Sequence, residues 1–140
     1  MVIPYLTNDY EQVLVEDLRH LQHLAYHANG SVRGMLAITE EDVNWLSGRY
    51  DFYCEQVGDK IKQFVIPQGC LAALHLHEVR NDAKIVYRAL HHAHKEEAVS
   101  ELLFKFTGLL SNVACAMALY VNQLNNVDEI PFHTKSYILK

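Results

Sequence analysis

Apolar residues recur at three- and four-residue steps along most of this chain, and its three prolines stand between those runs rather than inside them. That pattern constrains the fold more than any other feature. It predicts an all-α chain, read as one four-helix bundle domain over residues 1–140. The first helix is expected from about Asn8 to Ala28, with Asn8 and Glu11 as a capping pair and Asn29-Gly30 as the stop. Its stripe is Leu14, Leu18, Leu21 and Ala25. The second helix has the clearest start: Thr39 and Asp42 form a shortened capping box, flanked by Ile38 and Val43 as a hydrophobic staple. Val43, Leu46, Tyr50, Tyr53 or Cys54, Val57 and Ile61 mark its buried side. Pro67-Gln68-Gly69 breaks the chain. A third helix is expected from about Cys70 to His92, and a fourth from about Lys95 to Leu124.

Val113 to Val121 in the fourth helix is apolar on every face, which points to a central position or a subunit interface. At nine residues this run is far short of the ~20 that cross a bilayer, so no membrane span is expected. A formal charge of -5 argues against a nucleic-acid or anionic-membrane surface. Three widely spaced cysteines form no paired framework, and no signal peptide is visible, so a cytoplasmic setting is expected.

The stretch Phe64-Val65-Ile66-Pro67-Gln68-Gly69, leading into Ala72-Ala73-Leu74-His75, resembles the PduO-type ATP:cob(I)alamin adenosyltransferases, which read Phe-(Val/Ile)-(Leu/Ile)-Pro-Gly-Gly and then Ala-Ala-Leu-His. Ile38 to Leu46 is similar to the start of a helix in that family. Leu110-Ser111-Asn112 and Tyr120-Val121-Asn122 stand where it has Leu-Ser-Asp and Arg-Tyr-Val-Asn. The resemblance implies a ferritin-like bundle, a homo-oligomer (a trimer in the family), and transfer of the 5'-deoxyadenosyl group of ATP to the cobalt of cob(I)alamin with release of triphosphate. It implies cobalamin as ligand, with Phe64 facing the corrinoid's lower side and His75 as the helix histidine.

The ATP side departs from the family pattern. The glycine-rich Thr-Arg-Thr-Gly-Asp triphosphate loop does not occur in these residues. The family's third-helix pattern is Leu-His-hydrophobic-Ala-Arg, three residues, then Arg-Arg-Ala-Glu-Arg. Anchored on Leu74-His75, its two key arginines fall on Glu78 and Asp82; shifted by one residue, they fall on His77 and Asn81. Arg80, Lys84 and Arg88 keep positive charge, displaced from that register. The sequence therefore predicts a corrinoid-related protein with impaired or lost adenosyl transfer, doubtful ATP and Mg²⁺ binding, and a companion chain as one source of the missing N-terminal elements. A non-catalytic bundle binding another small molecule is the alternative.

Nine histidines raise a rival reading. His20, His23 and His27 lie on one face of the first helix, a spacing that suits a Zn²⁺-like ion if another helix adds a donor. His91, His92 and His94 are expected at the exposed junction of the third and fourth helices. No Glu-x-x-His di-metal motif occurs in the chain.

Overall fold

The structure, a computed structural model, describes residues 2–63, 65–95, 98–133 and 135. Short 3-10 turns at Ile3–Tyr5 and Asp9–Glu11 lead into α1 (Gln12–Arg33), followed by α2 (Glu40–Val57), a 3-10 turn (Gly58–Lys62), α3 (Leu71–His94) and α4 (Glu101–Leu124). The only strand-like pairing among the described residues is an isolated bridge between Val65 and Pro131.

Side-chain pairings fix the helix directions. Asp17 meets Arg49 and Tyr53, while His20 stacks on Trp45 at 3.9 Å, so α1 and α2 run antiparallel. Phe52 meets Tyr120, and Gln56 accepts from Gln123, so α2 runs parallel to α4. Tyr87 and His91 of α3 pack on Phe104 near the start of α4, and Cys70 bonds Asn122 near its end, so these two are antiparallel. Consecutive helices thus alternate up and down. The connection from α2 to α3 crosses the bundle end where α4 finishes.

Local chemistry explains the helix ends. Thr39 accepts from the Asp42 N–H at 3.2 Å, and Asp42 accepts from the Thr39 N–H at 3.0 Å, while Ile38 and Val43 are buried beside them. Such a cap stabilises a helix start by about 1 kcal/mol. Two expected ends move. α1 passes through Asn29-Gly30 to Arg33, where Ser31 Oγ donates back to the His27 carbonyl and accepts from the Ala37 N–H. A glycine inside a helix costs only about 1 kcal/mol, which the surrounding bonds exceed. α4 starts at Glu101 rather than Lys95, because Ser100 caps it by accepting from the Leu102 N–H.

The α1 stripe also swings: Leu14, Leu18 and Leu21 are buried, but Leu24 replaces the exposed Ala25. In α4, Val113, Ala116, Met117, Ala118 and Val121 are all buried within this single chain. The all-round apolar run is accounted for by a central place between α2 and α3. α4 is long and apolar enough to cross a membrane by length and mean hydropathy (1.6), yet 56% of that stretch is buried in the bundle.

Candidate functional site

The crossing segment between α2 and α3 is clamped onto the end of α4 by one side chain. Asn122 is fully buried, and each end of its carboxamide holds the loop. Its Oδ1 accepts from the Cys70 N–H at 3.1 Å, and its Nδ2 donates to the Gln68 carbonyl at 3.0 Å. Nδ2 also donates to Glu129 Oε1 at 3.0 Å. From the other side, Ile66 N–H donates to the Ile130 carbonyl at 2.9 Å. The tail, which the sequence suggests packs locally, instead straps the loop. Beneath it, Val57, Val65 and Leu119 form a small apolar cluster with Ile61 and Tyr120. Phe64, the residue expected to face a corrinoid, lies outside the described residues.

Farther down the outer face of α4, the character changes from apolar to cationic. Arg80, Lys84 and Arg88 recur at four-residue steps and so share one stripe of α3. Lys84 and Arg88 line a cleft of about 250 Å³ with Tyr87, Gly108, Ser111 and Asn112. Cys115 sits in the same field: burial pushes its thiol pKa up, and Arg80 and Lys84 oppose that shift. Desolvation lowers the Lys84 ammonium, and repulsion from Arg80 and Arg88 lowers it further. Across α4, the hydrogen bond to Cys54 pushes the Tyr50 phenol up to about 12, with burial adding to it. The face can therefore hold a polyanion beside an apolar surface.

Glu78 and Asp82 point elsewhere. They line a cleft against α1 with Leu18, Leu21 and Ala25. His75 lies there too, stacked on Tyr5 at 4.8 Å and 3.5 Å from Glu78. Two residues along a helix turn about 200°, which separates this acidic stripe from the cationic one. His77, on the same side of α3 as Arg80 and Lys84, is 2% exposed, and neither ring nitrogen has a hydrogen-bond partner among the described residues. Burial lowers its pKa, and nearby Arg80 lowers it further.

Two histidines of the α1 triplet are engaged locally. His20 is stacked on Trp45, and the His23 ring turns to the Arg19 carbonyl at 2.9 Å. Among the described residues no three His, Cys, Asp or Glu side chains converge. His94 is also occupied locally, its Nδ1 accepting from the Val99 N–H at 3.0 Å. Asn122 and Glu129 were not singled out as site residues by sequence reasoning, though Tyr120-Val121-Asn122 carried a signal for the first.

Fold and site together define a helical bundle whose outer face is apolar at one end and cationic along its middle. The chain belongs to the cobalamin adenosyltransferase family, whose model matches residues 3–121. It is 24% identical over 132 residues to the corrinoid adenosyltransferase of Bacillus subtilis strain 168, covering 91% of this chain and 68% of that protein. Two structures of the PduO-type ATP:corrinoid adenosyltransferase of Lactobacillus reuteri are similar. An arginine-to-lysine variant complexed with ATP superimposes with a TM-score of 0.83 at 25% identity, over 94% of this chain and 77% of that one. A phenylalanine-to-alanine variant complexed with cobalamin and ATP gives 0.80 at 24% identity, over 94% and 78%.

Proposed function

We propose that this protein binds a corrinoid against the clamped loop and a nucleoside triphosphate along the cationic stripe of the same face. The observation that carries this reading is the side of α3 on which the charges fall. Leu-His occurs twice in succession, at Leu74-His75 and Leu76-His77. Anchoring the family pattern on the second puts its histidine at His77 and its four arginines at Arg80, Lys84, Ile85 and Arg88, with Glu78 at its hydrophobic position. Anchoring it on the first puts Glu78 and Asp82 against α1, away from the loop. The second register keeps three of the four cations, with Lys84 in place of one arginine and Ile85 in place of another. His75 then belongs to the α1 cleft rather than to the ligand.

In this reading the loop over Val65 forms an apolar floor for the lower side of the corrinoid, and Asn122 keeps that floor in place. Arg80, Lys84 and Arg88 neutralise the triphosphate, which is the leaving group when the 5'-carbon passes to cobalt. A lysine in place of an arginine fork gives a point charge and forfeits about 1.5–3 kcal/mol, on the order of 10–10²-fold. Mg²⁺ would arrive bound to the nucleotide's phosphates. A glycine-rich triphosphate cradle supplied from outside these residues completes the site. Adenosyl transfer by this chain alone is accordingly slow, and binding outlasts catalysis. We further place it as a trimer, as the resemblance implies, in the cytoplasm, where three free cysteines stay reduced.

Anaerobic titration of reduced cobalamin, followed in the visible spectrum with and without MgATP, tests this. Saturable binding that Arg80→Glu weakens for MgATP supports it. Absence of any corrinoid binding overturns it.

A further inference from the structure

Glu129 is tied to the loop through a shared carboxamide. Asn122 Nδ2 donates both to Glu129 Oε1 and to the Gln68 carbonyl, each at 3.0 Å. The two residues that follow Glu129 in the strap extend the link. Ile130 accepts from the Ile66 N–H at 2.9 Å, and Pro131 pairs with Val65. At the base of the strap, Val127 N–H donates to the Asn122 carbonyl at 2.9 Å. Release of Glu129 would therefore loosen one hand of the carboxamide that grips residues 68–70.

The other carboxylate oxygen is what makes this contact conditional. Oε2 of Glu129 is buried and has no hydrogen-bond partner among the described residues. An anionic oxygen shut away from water without a donor is costly, whereas a protonated carboxyl spreads no charge there. Oε1 accepts from Asn122 in either state. The charged and titratable groups around Glu129 are Lys60 from the turn after α2, Cys115 from α4 and Asp128 from its own segment. Only Lys60 favours the ionised form. Burial outweighs it and the Asn122 bond, raising the carboxyl's pKa.

We propose that Glu129 is a positioning residue, acting through Asn122 to set whether the segment 65–70 stays clamped against the end of α4. The clamp is tight when the carboxyl carries its proton and slackens as the group ionises. Its consequence for the corrinoid rests on the function proposed above, whereas the clamp itself does not.

Amide hydrogen exchange on the full chain without ligand reads the clamp directly. The probes are the Ile66 and Cys70 amides, corrected for intrinsic rates, in buffers from pH 4.5 up to neutrality. Protection in the wild type is expected to fall as pH rises. Glu129→Ala should lower it by about tenfold or more, the loss of a buried hydrogen bond. Glu129→Gln keeps the acceptor without the charge, so it should hold the acid-side protection at every pH. The Leu21 amide in α1 should not change, which shows that the bundle is intact. Unchanged loop protection in Glu129→Ala would overturn the proposal, as would a Gln variant that behaves like Ala. A parallel cobalamin titration separates the two claims. Loop protection that responds as stated without cobalamin binding leaves the clamp standing and removes the corrinoid reading. Cobalamin binding with loop protection indifferent to Glu129 does the reverse.

Discussion

The carboxamide of Asn122 occupies the space that any side chain at position 69 would need. Gly69 sits at φ +125°, and a Cβ built on it would overlap the Asn122 carboxamide. The glycine is required both by its backbone and by its neighbour. Gly69→Ala should destabilise the protein by about 2–4 kcal/mol, of which about 1–3 is backbone strain and the remainder overlap. Asn122→Ala removes the partners of a half-buried N–H and a carbonyl and should cost about 1–3 kcal/mol. Urea unfolding midpoints check both, and a Gly69→Ala protein as stable as the wild type would contradict the geometry.

His77 should make the protein less stable toward acid. Its folded-state pKa is lowered by burial and by Arg80, so the native state holds fewer protons than the unfolded chain below the ordinary imidazole value of 6.5. Its contribution is constant above that pH and is lost as pH falls below it. His77→Leu should flatten this loss and raise stability near neutrality by about 1–2 kcal/mol, because an unpartnered polar ring is replaced by an apolar one. Glu129 works in the opposite sense: its pKa is raised, so stability is gained as pH falls through the folded value toward 4.5. Thermal unfolding across pH for each single variant separates the two slopes.

The helices were legible because their signals are local. Thr39 and Asp42 lie three residues apart, and the structure closes the capping box they predict. The ends of α1 and α4 were less legible, since Ser31 and Ser100 compete with equally plausible neighbours for the same role. Asn122 was legible as a motif but not as a clamp, because its partners Gln68 and Cys70 stand more than fifty residues away. The register of α3 was ambiguous for a different reason. The family's arginine positions fall on Glu78 and Asp82 or, shifted by one, on His77 and Asn81, and sequence alone does not say which of these turns toward α1. Packing separates them, placing Glu78 and Asp82 in the α1 cleft and burying His77.

The two stripes of α3 should respond differently to charge changes. Arg80→Glu should weaken MgATP binding by about 10–10²-fold, the worth of a charge-assisted bond to phosphate. Glu78→Gln and Asp82→Asn, on the α1 side, should leave it within about twofold, since the solvent-exposed pair is screened. Isothermal titration of the three variants distinguishes the outer face from the α1 cleft. Equal losses from both stripes would mean that the cations do not define the site.

Burial of α4 inside one chain removes the sequence argument for an oligomer, and the family resemblance remains. Sedimentation equilibrium at micromolar concentration should show a trimer. A stable monomer would mean that any ligand bound here is held by one subunit.

The most direct measurement is single-turnover adenosylation of cob(I)alamin under anaerobic conditions, with MgATP and the purified chain, read as adenosylcobalamin in the visible spectrum. Corrinoid and MgATP should both bind. Product should form at a rate on the order of 10–10²-fold or more below that of an intact family enzyme, the deficit expected for Lys84 before the missing cradle is counted. Arg80→Glu should abolish what remains. Turnover at the rate of an intact enzyme, or product formation indifferent to Arg80, would contradict the account.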